Sequence, residues 1–151
     1  LPLLLAGALL LPAADSNPAD AAWQRLRSLA GTWEAVEGTF TVVSGGHALL
    51  ESMKMPAPAP DMVTVYHRDG TTLLATHYCS IGNQPRMRAT EFPKDSLSFV
   101  FADITNLAKP DAVHIHDLKI TFVDADHIVE DWSSAPAGKG ESISIKLTRK
   151  K

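Results

Sequence analysis

The sequence predicts an all-β protein, an up-and-down antiparallel β-barrel of about 8–10 strands behind one short N-terminal helix. Three observations carry this reading. From Thr32 onward, apolar residues recur at every second position, the period of a half-buried strand. Turn-forming clusters such as Ser44-Gly45-Gly46, Arg68-Asp69-Gly70 and Asp124-Ala125-Asp126 divide the alternating runs at hairpin spacing. No internal repeat and no second helical pattern interrupts them. Sequential antiparallel strands in this number close into a barrel or pack as a sandwich, and closure removes exposed edges.

The elements follow in order. Leu1–Ala14 is uncharged, Leu-rich and ends in small residues, the pattern of a secretory signal remnant. It is shorter than the roughly 20 residues that span a bilayer. Residues 15–22 read as a polar leader, and residues 23–151 as the barrel domain. Asp20 is placed to cap a helix over Ala21–Ala30, with Trp23, Leu26 and Leu29 on one face and Gly31 ending it. Trp33, Ala35, Phe40 and Val42 suggest one long strand with a bulge at Gly38. His47–Met55 alternates next, and the Pro-rich 56–60 breaks pairing. Met62–His67 and Thr71–Cys79 form a hairpin; Arg86–Phe92 and Ser96–Ala102 form another across Pro93-Lys94-Asp95. After a loop over 103–113 come His114–Val123, its partner His127–Trp132, and Ser142–Arg149, making about nine strands.

Composition bounds the function. The chain has 151 residues and 45% apolar content, enough for one domain with a real core. A net charge of -3 without an extended basic block argues against a nucleic-acid binder and a polybasic membrane-surface protein. The single Cys79 cannot form an intramolecular disulfide, so an exported fold must rest on its core. The expected location is periplasmic or extracellular.

The short helix leading into Gly31-Thr32-Trp33 at the first strand resembles the opening of the lipocalin/calycin superfamily. In that family a basic residue from the last strand covers the tryptophan, and Arg149 matches it here. Arg149 shares a face with Ile143, Ile145 and Leu147, and an indole face accepts a guanidinium. The resemblance covers the ends of the domain well and the middle poorly: Thr76-His77-Tyr78 departs from the family's second motif, whose central residue is acidic. The pattern is also similar to uncharacterised secreted bacterial lipocalin-like proteins and, more distantly, to haem-binding barrels of the nitrobindin type. Trp33 and Arg149 are the closure pair that this resemblance implies.

The candidate site lies where strands turn polar on their apolar side. Leu73, Ala75, His77 and Cys79 share one face of a strand. In His114–Phe122, alternation places His114 and His116 with Leu118, Ile120 and Phe122, opposite the polar Asp117 and Lys119. Four imidazole and thiol groups facing one lumen, His77, Cys79, His114 and His116, would suit zinc or copper, and one of the histidines would suit haem. Asn83, Gln84, Arg86 and Arg88 follow the His/Cys strand as a polar rim. Ile128, Glu130 and Trp132 share a face, as do Leu49, Glu51 and Met53, so Glu130 and Glu51 point inward and must be paired or protonated. Either glutamate beside His114 or His116 would make a proton-transfer pair. Met53, Met55, Met62 and Met87 offer a soft apolar lining.

The leading expectation is binding of a small, mostly apolar ligand with a polar end. Walls from Leu49, Met53, Leu73, Phe99, Leu118, Ile120 and Ile145 would hold its body, and the His/Cys group its polar end. The alternatives are a metal- or haem-binding barrel, with or without catalysis, and a barrel filled by its own side chains. The serines lack a nucleophile-elbow context, which disfavours a hydrolase.

Overall fold

The computed structural model describes residues 17–136 and 142–151. A helix α1 (Pro18–Arg27) precedes ten strands: β1 (Gly31–Glu34), β2 (Gly38–Val43), β3 (Ala48–Met53), β4 (Met62–Asp69), β5 (Thr72–Tyr78), β6 (Gln84–Ala89), β7 (Ser96–Thr105), β8 (His114–Phe122), β9 (His127–Ala135) and β10 (Ile143–Arg149). Each strand pairs antiparallel with its neighbours in sequence, and β1 pairs with β10, so the sheet is a closed up-and-down barrel. The signal-like stretch Leu1–Ala14 lies outside the described residues. Among the described residues no helix is long and apolar enough to cross a membrane.

Helix α1 starts earlier than its apolar spacing suggests. Asn17, not Asp20, caps it: Asn17 Oδ1 accepts from the Ala19 N–H at 3.1 Å. Pro18 then occupies the first helical position, where its missing N–H costs nothing. The last part of the expected leader is therefore helical. Asp20 lies in the first turn and pairs with Arg68 at 2.6 Å. Ala22, Trp23 and Leu26 face the barrel and join its core.

The expected long first strand is a hairpin. The inward face passes from odd-numbered Trp33 to even-numbered Phe40, and a turn over 35–37 makes that change, not a bulge. Gly38 is the first residue of β2 and stands opposite Trp33. Splitting this run turns nine strands into ten.

The inward residues form a continuous core that includes Leu49, Tyr66, Leu73, Met87, Phe99, Leu118, Ile120, Ile128 and Leu147. One end of the barrel is closed by α1. Arg25 donates to the carbonyls of Lys94 and Ser96 and lies 4.6 Å over the Phe122 ring. At the same end the Arg149 guanidinium sits 4.4 Å over Trp33 and donates to Ser28 O at 2.9 Å and Ala30 O at 3.0 Å. Arg149 thereby ties the last strand to the segment joining α1 to β1.

Candidate functional site

Pairing places three polar residues in one inward row. Glu51 on β3 is directly opposite Thr64 on β4, and Thr64 is directly opposite His77 on β5. All three side chains are buried, His77 with 1% of its surface exposed. Thr64 Oγ1 and His77 Nδ1 are hydrogen-bonded at 3.0 Å. The Tyr66 hydroxyl donates to Glu51 Oε2 at 2.6 Å. Glu130 reaches in from β9, where Trp132 Nε1 donates to its Oε2 at 3.2 Å. The Glu51 and Glu130 carboxyls lie close enough to act on each other's ionisation, which favours one of them keeping a proton.

Burial dominates the electrostatics of this group. It pushes Glu51 up to about 7, against the opposing bonds from Tyr66, Glu130 and Thr64. It raises Glu130 well above the usual carboxylate range, and the neighbouring Glu51 charge adds to the rise. The Tyr66 phenol is driven upward by burial and by both carboxylates. Burial lowers His77 to about 4, so its imidazole is neutral at pH 7. Two carboxyls sharing a dry site cannot both ionise cheaply.

Above this row the barrel opens at the end opposite α1. A pocket of about 70 Å³ is lined by Met53, Met55, Met62, His77, Ile115, Trp132, Ile143 and Ile145. The His77 and Trp132 rings meet at 5.1 Å between centroids. His77 Nε2, on the far side of the ring from Thr64, has no protein partner. His77 is the one titratable residue among the pocket's lining side chains. Ile143, 48% exposed, stands at its rim.

The other predicted residues fall elsewhere. His114 and His116 do not join Leu118 on the inward face, because β8 carries a bulge between Ile115 and Asp117. The extra residue reverses the alternation, so Ile115 lines the pocket instead. His114 bonds to Ala112 O at 2.9 Å. His116 pairs with Asp117 at 2.9 Å, keeps 38% of its side chain exposed and stacks on Phe101 at 4.9 Å. Neither histidine makes a proton-transfer pair with Glu51 or Glu130; those carboxyls accept from Tyr66 and Trp132. Cys79 is a half-buried free thiol in the turn after β5, its N–H bonded to Asn83 O. Asn83 is buried and donates to Val113 O at 3.1 Å, tying two loops at the mouth. Gln84 bonds to Gly82 O and accepts from Thr105. Arg86 and Arg88 lie on the outer face, paired with Asp103 and Asp69.

The donor set fits neither metal nor haem. Among the described residues no group of three or more His, Cys, Asp or Glu side chains is placed to hold a metal ion. A pocket of about 70 Å³ lacks the large apolar space that a macrocycle needs beside an axial histidine.

Tyr66, Thr64 and Ile115 were not among the predicted site residues. Alternation does place Thr64 and Tyr66 on one face of β4, but the opposite face carries Val63 and Val65. Apolarity alone therefore points the wrong face inward. Ile115 is hidden by a bulge that no glycine announces.

The chain matches no protein-family model and no curated protein. A closed antiparallel barrel of ten strands with one short helix is consistent with a lipocalin/calycin-like architecture.

Proposed function

We propose that this barrel binds a small, mostly apolar ligand through its open end, with the ligand's polar end against His77. The observation that carries this reading is that His77, whose buried Nε2 has no protein partner, lines an otherwise apolar pocket. A buried polar atom without a partner costs about 1–3 kcal/mol, and a ligand that bonds to it recovers part of that cost. The methionine walls adapt to the shape of the occupant because thioether side chains rotate easily and polarise. The pocket volume of about 70 Å³ is well below the several hundred Å³ of a drug-sized site. The ligand is therefore small, or only its end enters. The lipocalin-like relationship and export from the cytoplasm belong to the same proposal, supported by Gly31-Thr32-Trp33 with Arg149 and by the Leu-rich N-terminal stretch.

A filled barrel acting as a scaffold is favoured only by the small volume and leaves His77 Nε2 unexplained. Titration of labelled protein with a panel of short-chain lipophiles separates the two. Binding gives saturable NMR shifts at the Trp132 indole N–H and the Met53, Met55 and Met62 methyls. A panel that leaves these signals unmoved overturns the binding reading.

A further inference from the structure

We infer that the mouth selects neutral lipophiles bearing a hydroxyl donor over carboxylates of the same length, because the buried row Glu51–Thr64–His77 ends in a bare acceptor nitrogen backed only by acidic groups. The inference rests on the binding reading above and names its ligand class.

Thr64 has one hydroxyl proton, and three neighbours compete for it: His77 Nδ1 at 3.0 Å, the Glu51 carboxyl directly opposite on β3, and the Tyr66 hydroxyl oxygen. Glu51 belongs to a carboxyl pair with two oxygens, Glu51 Oε1 and Glu130 Oε1, that have no protein donor. With Glu51 near its midpoint at pH 7, the pair carries part of a negative charge and draws donors. The Thr64 hydroxyl therefore turns to Glu51, and its oxygen accepts from His77 Nδ1–H. A neutral imidazole has one N–H, so Nε2 is left as an acceptor. It is buried and without a protein partner, on a ring that lines the pocket with Met53, Met62 and Ile145.

Charge points the same way. The titratable groups facing this end from β3, β4, β5 and β9 are Glu51, Tyr66, His77 and Glu130. Among the described residues no Lys or Arg is buried, and Arg149 lies at the α1 end. An incoming carboxylate would meet an acceptor nitrogen and, behind it, more negative charge. An ether or ester fits the apolar walls but offers no proton. An ammonium offers protons but would shed its water among apolar walls, with the carboxyls behind Thr64 and not in contact. A hydroxyl supplies the one missing donor without burying a charge.

The test compares 1-hexanol, its isomer methyl pentyl ether, and hexanoate at pH 7, followed by NMR at the Trp132 indole N–H. The alcohol should bind about tenfold more tightly than either competitor, the worth of one hydrogen bond to a buried acceptor. In His77→Phe the alcohol and the ether should become equal. Should that variant fail to fold, the imidazole ¹⁵N shifts of the unaltered protein decide the tautomer: Nε2 as the unprotonated nitrogen is required. Ether binding equal to alcohol, hexanoate binding as tight as either, or a proton on Nε2 overturns the inference while leaving the binding reading in place. Failure of all three probes to saturate overturns both.

Discussion

Glu130 is a buried carboxyl beside a second one, and its substitution exposes the cost of ionising it. As an ionised group it would sit fully buried beside a second carboxyl, so folding favours its protonated form. A carboxyl raised on folding contributes stability that is complete below its unfolded value of 4.5. That stability is lost as pH rises through the folded value, about 7 for Glu51 and well above the usual carboxylate range for Glu130. Glu130→Gln mimics the protonated group, keeps an acceptor for Trp132 and offers an N–H to Glu51. It should be more stable than the unaltered protein at pH 8, by about 2 kcal/mol, with the gain shrinking toward pH 4.5. Urea denaturation at several pH values measures this, and a gain independent of pH would contradict it. His77 runs oppositely: its lowered value makes it lose stability as pH falls from 6.5 toward about 4. Only the difference between the two proteins therefore isolates Glu130.

Among the elements, the legible ones were those whose alternation is unbroken. In β3, β5 and β9 the inward set Leu49, Glu51, Met53, then Leu73, Ala75, His77, then Ile128, Glu130, Trp132 follows directly from a period of two. Two elements broke it. The bulge at His116 turns two histidines off the inward face, and the turn over 35–37 splits the first strand. Neither carries a sequence mark, because a bulge is fixed by pairing across strands and not by the bulged residue. The site was legible to the same extent: His77, Glu130, Glu51 and Trp132 gather in the interior, whereas the HxH pair does not. The turn itself holds a testable strain. Ala35 has φ 105°, a region that disfavours any side chain. Ala35→Gly should raise stability by about 1 kcal/mol, read as a higher midpoint in urea; an unchanged or lower midpoint would count against the turn geometry.

For the whole molecule, the two ends of the barrel are built differently. The α1 end is sealed by Trp23, Leu26 and the Arg149–Trp33 stack, while the opposite end keeps an apolar pocket lined in part by the His77 ring. Arg149→Met retains an apolar stem over the indole and removes the bonds to Ser28 O and Ala30 O. It should cost about 2–3 kcal/mol in denaturant unfolding and leave the Trp132 indole signal of the folded protein in place. A simultaneous collapse of that signal in the folded state would mean that the two ends are not separate.

An enclosed site at this end requires His77 to be walled off from water beneath the mouth. The most direct measurement is the NMR pH titration of the His77 ring. A midpoint near 4, far below the ordinary 6.5 of an imidazole, is the predicted result. A midpoint at 6.5 would place the ring in solvent and contradict the enclosed site.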